Sequence, residues 1–104
     1  MEKKYDLTTE KGLQSAMQVL QLANPPIFWV IKLVRDILFS SEKLEKQKEI
    51  AESLIHKGKA EGARKMVIVM DNFRGGKLNI PLEEAKVDTM IGADEKLIVK
   101  VRYK

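Results

Sequence analysis

Carboxylates and the only histidine of the chain recur at helical spacing along one stretch of the sequence. They are Glu45, Glu49, Glu52 and His56. On a helix they fall within about 60° of one another, a grouping from which carboxylate metal sites are built. Bundle metal sites take ligands from several facing helices, and no other segment offers a matching Glu-x-x-His set. Nearby lysines can pair with the glutamates instead, so we expect a solvated helix face, no metal and no cofactor.

Nucleophilic catalysis needs a base beside a serine or threonine, and the sequence does not provide one. His56 lies among lysines, and there is no nucleophile elbow or phosphate-binding loop. Gly75-Gly76 between Arg74 and Lys77 has the composition of a small anion-binding nest, although a tight turn is the commoner role for such glycines. We therefore expect that the protein is not an enzyme.

Basic residues alternate along the last predicted strand. Lys100, Arg102 and Lys104 would project from one of its faces, with Lys65 and Lys86 on neighbouring strands. Lysine and arginine are also common on solvated sheet faces and on edge strands, where their charge prevents pairing with the strands of other molecules. Sheets that bind single-stranded nucleic acid add aromatic residues for base stacking, and this face has none. Weak nucleic-acid binding is therefore an alternative function and not the leading one.

The segment from Ile27 to Phe39 is apolar around most of its circumference when drawn as a helix. Phe28 and Phe39 project within its narrow polar arc, and Trp29 lies at the border of that arc. Such a helix is either the buried centre of a core or is covered by a partner, and a helix lying in a membrane surface is a third possibility. The leading function is a non-enzymatic interaction or oligomerisation module, in which these aromatic residues contact a second copy or another protein.

The first strand predicted after the helices is apolar on both of its faces. Val67 and Val69 point one way, and Met66, Ile68 and Met70 point the other way. A strand of this pattern is usually central and covered on both sides. Because methionine adapts to irregular surfaces, we expect Met66, Ile68 and Met70 to form a second set of partner contacts.

These candidate residues are carried by helices in the first half of the chain and by strands in the second. Helices are predicted from Thr8 or Thr9 onward, over Ile27–Phe39 and over Glu42–Glu61, with breaks at Asn24-Pro25-Pro26 and at Gly62. Strands are predicted over Lys65–Met70, Lys77–Ile80, Lys86–Ile91 and Lys96–Tyr103. The predicted fold is α+β, with three N-terminal helices followed by a three- to four-stranded, mainly antiparallel sheet. We expect one domain over 1–104, with a helical part at about 8–62 and a β part at about 65–104.

Composition sets the outer limits of this interpretation. The chain has 104 residues, of which 44% are hydrophobic and 33% charged, which is enough apolar material for one folded domain. The absence of cysteine excludes disulfides, thiolate zinc sites and a cysteine nucleophile, and together with the lack of a signal peptide it leads us to expect a cytoplasmic protein. The net charge of +4 comes wholly from residues 53–104, where eleven basic residues meet seven acidic ones. Residues 12–31 carry no charge, but two prolines and several polar residues argue against a membrane span.

Overall fold

A computed structural model describes residues 2–20, 27–71, 85–92 and 95–103 of the chain. Residue 2 and residues 27–31 are described by their backbone alone. Its elements, in chain order, are β1 (Glu2–Asp6), α1 (Glu10–Leu20), α2 (Ile27–Leu38), α3 (Lys43–Ala60), β2 (Lys65–Asp71), β3 (Ala85–Ile91) and β4 (Lys96–Tyr103). The predicted helix break at 24–26, all of the predicted turn at 71–76 except Asp71, and the predicted strand at 77–80 lie outside the described residues.

The four strands form one sheet in the order β1-β2-β4-β3. β1 runs parallel to β2, while β4 is antiparallel to both β2 and β3. The α+β class is confirmed, but two details of the prediction were wrong, since a strand precedes the helices and the sheet is mixed rather than mainly antiparallel. The missed strand reads Glu-Lys-Lys-Tyr-Asp, and its charges leave no apolar alternation to recognise. Charged residues of this kind are common on edge strands.

A side-chain cap marks the start of α1, and a backbone cap marks the end of α3. The hydroxyl of Thr9 accepts a 3.0 Å hydrogen bond from the N–H of Gly12, which caps the start of α1 as predicted. Gly62 has φ +75° and follows the end of α3, and the N–H of Ala63 donates to the carbonyl of Gly58 at 2.9 Å. This is a Schellman motif, in which a left-handed glycine lets the chain turn out of the helix toward β2.

The core lies between one face of the sheet and the helices α1 and α3. Its buried side chains come from both halves of the chain and form one cluster. The largest fully buried ones are Leu7, Leu13, Leu54, Ile55, Met66, Ile68, Met70, Gln47, Val99 and Val101. The helical periodicity of α3 and the strict alternation of β2 therefore both direct their apolar side chains into this space.

The second helix lies at the outside of the helical layer. Its main contacts are with α1, and it touches α3 more lightly. Between residues 32 and 38 only Val34 and Ile37 are buried, and Leu38 is half-buried. The part of α2 whose side chains are described is therefore not in the centre of the core, a position that its apolar composition also allowed.

The second face of the sheet carries the alternate side chains of β2 and β4. Val67, Val69 and Ile98 are half-buried there, and Lys100 and Arg102 are exposed. The buried apolar side chains of the described helices all belong to the cluster on the opposite face. Those helices therefore leave the second face open.

Candidate functional site

Two large apolar side chains stand out from the surface around α2. Leu33 is 39% exposed in the middle of the helix, and Phe39 is 86% exposed directly after its last residue. The backbone of Phe39 is held in place, because its N–H donates to the carbonyl of Arg35 at 3.1 Å. Lys32, Arg35 and Asp36 are exposed around them, so this surface is apolar with charges of both signs.

A groove of about 330 Å³ adjoins Leu33 between the three helices. Apolar residues from all three helices line it, namely Met17, Leu33, Ile37 and Ile50, and the charged residues are Asp36, Lys46 and Glu49. A concave surface lined by apolar side chains together with a few charged ones is the usual composition of a surface that is covered by another molecule. The outer surface of α2, defined here as Leu33, Phe39 and this groove, is therefore the strongest candidate contact surface among the described residues.

The structure separates the two sets of residues that the sequence assigned to a partner. Phe39 lies on the outer surface of α2, while Phe28 and Trp29 belong to the same helix but their side chains lie outside the described residues. The second set, Met66, Ile68 and Met70, is at most 1% exposed and lies in the core cluster shared with α3. The chain's own helices cover that strand face, so these three side chains are not accessible to a partner of the folded protein.

Leu33 was not among the expected contact residues. It is one of several apolar residues on a broad helical stripe, and periodicity alone does not tell which edge of such a stripe stays outside. The only sequence signal was the excess width of the stripe, because a helix cannot bury all of its sides against two neighbours.

The basic residues of β4 lie where the alternation placed them. Lys100 and Arg102 are exposed on the second face of the sheet, and Lys104 lies outside the described residues. In the strand register Arg102 stands between Lys65 on β2 and Lys86 on β3. The predicted neighbours are therefore brought together around Arg102.

The three glutamates and the histidine that recur at helical spacing all belong to α3, as predicted. Glu45, Glu49 and His56 are exposed, and Glu52 is half-buried. Within the described ranges, no three His, Cys, Asp or Glu residues are placed to hold a metal ion together.

A buried glutamine joins one end of the sheet to α3. The side-chain amide of Gln47 donates to the carbonyl of Leu7 at 3.1 Å and to the carboxylate of Asp71 at 3.0 Å, and its oxygen accepts the N–H of Asp71 at 3.0 Å. Lys43 Nζ lies 2.8 Å from the same carboxylate. Burial alone would raise the pKa of Asp71, but the hydrogen bonds from Lys43 and Gln47 outweigh it and hold the pKa below its usual value. Among the described residues no buried side-chain nitrogen or oxygen lacks a partner, which fits a structural role for this cluster.

Tyr103 joins the other end of the sheet to the same helix. Its hydroxyl donates to the carbonyl of Ile55 at 2.7 Å, and a Cβ at Gly58 would lie only 2.6 Å from that hydroxyl oxygen. Burial raises the pKa of Tyr103 to about 12, with a smaller contribution from Tyr5. The phenol is therefore a neutral donor at physiological pH, which suits helix–sheet packing rather than acid–base chemistry.

None of the described helices combines the length and the apolar character that crossing a membrane requires. Comparison of the chain with protein-family models, with curated proteins and with solved structures gave no match. The surfaces described above are therefore the features of this molecule that bear on its function.

Proposed function

We propose that this protein is a non-enzymatic interaction module that self-associates through the outer surface of α2. One observation supports this most strongly: α2 is the most apolar of the three helices, yet it lies at the outside of the molecule. Exposed apolar surface of this kind gains about 25 cal/mol for every Å² that a partner covers. Leu33 and Phe39 would supply the central contacts of such an interface.

The charges on α2 favour a second copy of the same chain as the partner. Lys32 and Asp36 are both exposed and are one helical turn apart. If α2 of a second copy lies antiparallel across a two-fold axis beside the middle of the helix, Lys32 of each copy stands near Asp36 of the other. The same arrangement brings Phe39 of each copy to the turn that carries Phe28 and Trp29 of the other. The described charges of α2 are thus complementary to those of a second copy.

The other partners expected from the sequence have less support. A different protein, or a membrane surface, could cover the same apolar side chains, but neither accounts for the opposite charges of Lys32 and Asp36 one turn apart. Nucleic acid would use the second face of the sheet, where Lys100 stands opposite Asp88 in the strand register. The cytoplasm remains the compartment that we expect, since the chain has no cysteine to oxidise.

Size-exclusion chromatography with light scattering tests the proposal directly. We expect the wild-type protein to have the mass of two or more chains of 11.9 kDa each, and the double variant Leu33→Lys/Phe39→Lys to be a monomer. Losing two apolar contacts of about 1.5–3 kcal/mol each weakens association by at least a hundredfold.

Met90→Lys is the matched control. Met90 is 49% exposed, so the variant also replaces an exposed apolar side chain by lysine, but on β3. It should keep the wild-type mass, and far-ultraviolet circular dichroism should show that all variants are folded. A monomeric wild-type protein, or a double variant with unchanged mass, would rule out self-association through α2.

A further inference from the structure

We propose that a cavity beyond the C-terminal end of α3 binds a small molecule that carries several linked phosphate groups. The cavity has a volume of about 530 Å³ and is lined by the turn after α3, the start of β2 and the end of β4. Four of its seven lining residues are cations, namely Lys59, Arg64, Lys65 and Arg102, and none of the seven is acidic. This inference is independent of self-association, because the cavity shares no residue with the outer surface of α2.

Three of the four cations that line the cavity are not neutralised by the described carboxylates. Arg64, Lys65 and Arg102 are exposed and form no ion pair with any described acidic residue. Glu61 is the nearest acidic residue in sequence, and it is occupied by Lys3 at 2.6 Å. Concave sites lined by charges of one sign concentrate their field and attract counter-ions, so this cavity favours an anion.

The strand register places like charges side by side along this cavity and next to it. Lys65 on β2 is directly opposite Arg102 on β4, which is in turn directly opposite Lys86 on β3. Like charges directly opposite one another destabilise a sheet. A bound anion would relieve that repulsion, and the planar guanidinium groups of Arg64 and Arg102 are suited to paired hydrogen bonds with phosphate oxygens.

The end of α3 does not oppose an anion strongly. A helix C-terminus is partly negative because its last carbonyls lack partners. Here the carbonyls of Lys57, Gly58 and Lys59 accept N–H groups from the turn that follows the helix. The capped helix end therefore leaves the cations to dominate the field in the cavity.

The extent of the cationic surface favours a small ligand over a nucleic-acid strand. The volume lies within the range of about 300–1,000 Å³ that is typical of small-molecule sites. Further along the second face of the sheet, Val67 is apolar and Lys100 stands opposite Asp88. Asp88 therefore interrupts the positive charge on this face, and several linked phosphates of a compact molecule match the group of cations at the cavity.

Isothermal titration calorimetry of the full chain with sodium tripolyphosphate and with orthophosphate tests this assignment. We expect one tripolyphosphate to bind per chain, at least about tenfold more tightly than orthophosphate, because it engages several cations at once. Arg64→Gln and Arg102→Gln should each weaken binding by about tenfold, the effect of losing one charge-assisted hydrogen bond.

Lys100→Gln is the matched control, because it removes one charge from the same strand and the same sheet face but outside the cavity. It should leave the affinity for tripolyphosphate within about twofold. Absence of tripolyphosphate binding at low ionic strength would overturn the proposal. So would an equal loss in Lys100→Gln and Arg102→Gln combined with tighter binding of an oligothymidylate, which would identify the sheet face as a nucleic-acid surface. Neither result would bear on the mass measured for the α2 variants.

Discussion

At the scale of single residues, Gln47 shows how one polar side chain joins three elements. It lies on the buried side of α3 with Ile50, Ala51 and Leu54, where helical spacing predicts an apolar residue. Its three hydrogen bonds reach the chain just after β1 and the end of β2. Position 47 can therefore be predicted as buried, whereas its partners depend on how the strands are arranged and cannot be deduced from the pattern.

Gln47→Leu keeps the approximate size of the side chain but removes all three hydrogen bonds. The carbonyl of Leu7 and the N–H and carboxylate of Asp71 would lose a partner in a largely buried region. We expect the free energy of unfolding, measured in urea, to fall by about 2–4 kcal/mol. Gln18→Leu at an exposed position of α1 is the control and should change it by less than about 0.5 kcal/mol. Equal effects of the two substitutions would show that the buried hydrogen bonds contribute little.

The candidate contact residues show the same limit of sequence-based prediction. Periodicity placed Met66, Ile68 and Met70 on one face of a strand, and the structure places that face under the chain's own helices. Phe39 was expected at a contact surface and is 86% exposed, so its accessibility agrees with that hypothesis. The alternation of residue types reveals which side chains share a face of a strand. Whether that face is covered by the chain's own helices or by a partner depends on the tertiary structure.

At the scale of elements, the helices and the strands β2, β3 and β4 begin and end close to where local signals predict. Thr9 caps α1 and Gly62 ends α3, because capping is a local interaction that the sequence encodes directly. β1 was missed, since its charged sequence becomes a strand only by pairing with β2, which lies some sixty residues away in the chain. Elements defined by their own residues are thus predictable, and elements defined by a distant partner are not.

Gly12→Ala tests the closest approach between two elements. Helix propensity alone would make alanine more stable by about 1 kcal/mol. A Cβ at position 12, however, would overlap the backbone carbonyl of Asp6 at the end of β1, and backbone cannot rotate away as a side chain can. We expect a net loss of about 2 kcal/mol or more in the free energy of unfolding, as α1 is forced from the sheet.

Ser15→Ala is the control for this prediction, because Ser15 is exposed on the same helix. It should leave stability unchanged or raise it by a few tenths of a kcal/mol through propensity alone. A Gly12→Ala protein as stable as Ser15→Ala would mean that α1 and β1 can separate without cost.

At the scale of the whole molecule, the first strand prevents the helical and β parts from being independent. β1 pairs in parallel with β2, so the sheet built by the second half of the chain takes one of its four strands from residues 2–6. The core cluster likewise combines side chains from α1, α2 and α3 with those of β2 and β4. The helical part and the β part are therefore successive in the sequence but share one sheet and one core. If the chain is one domain, as predicted, both parts should unfold together.

We expect the protein to unfold in urea in one transition that is the same for both parts of the chain. Trp29 is the only tryptophan and belongs to α2, so its fluorescence follows the helical layer, while far-ultraviolet circular dichroism follows all secondary structure. Tyr103→Phe removes the hydrogen bond from β4 to the carbonyl of Ile55 on α3 and should cost about 1 kcal/mol. Because the shared core links the layers, both signals should shift to the same lower urea concentration. If the fluorescence midpoint stayed at its wild-type value while the dichroism midpoint fell, α2 would be unfolding separately from the sheet.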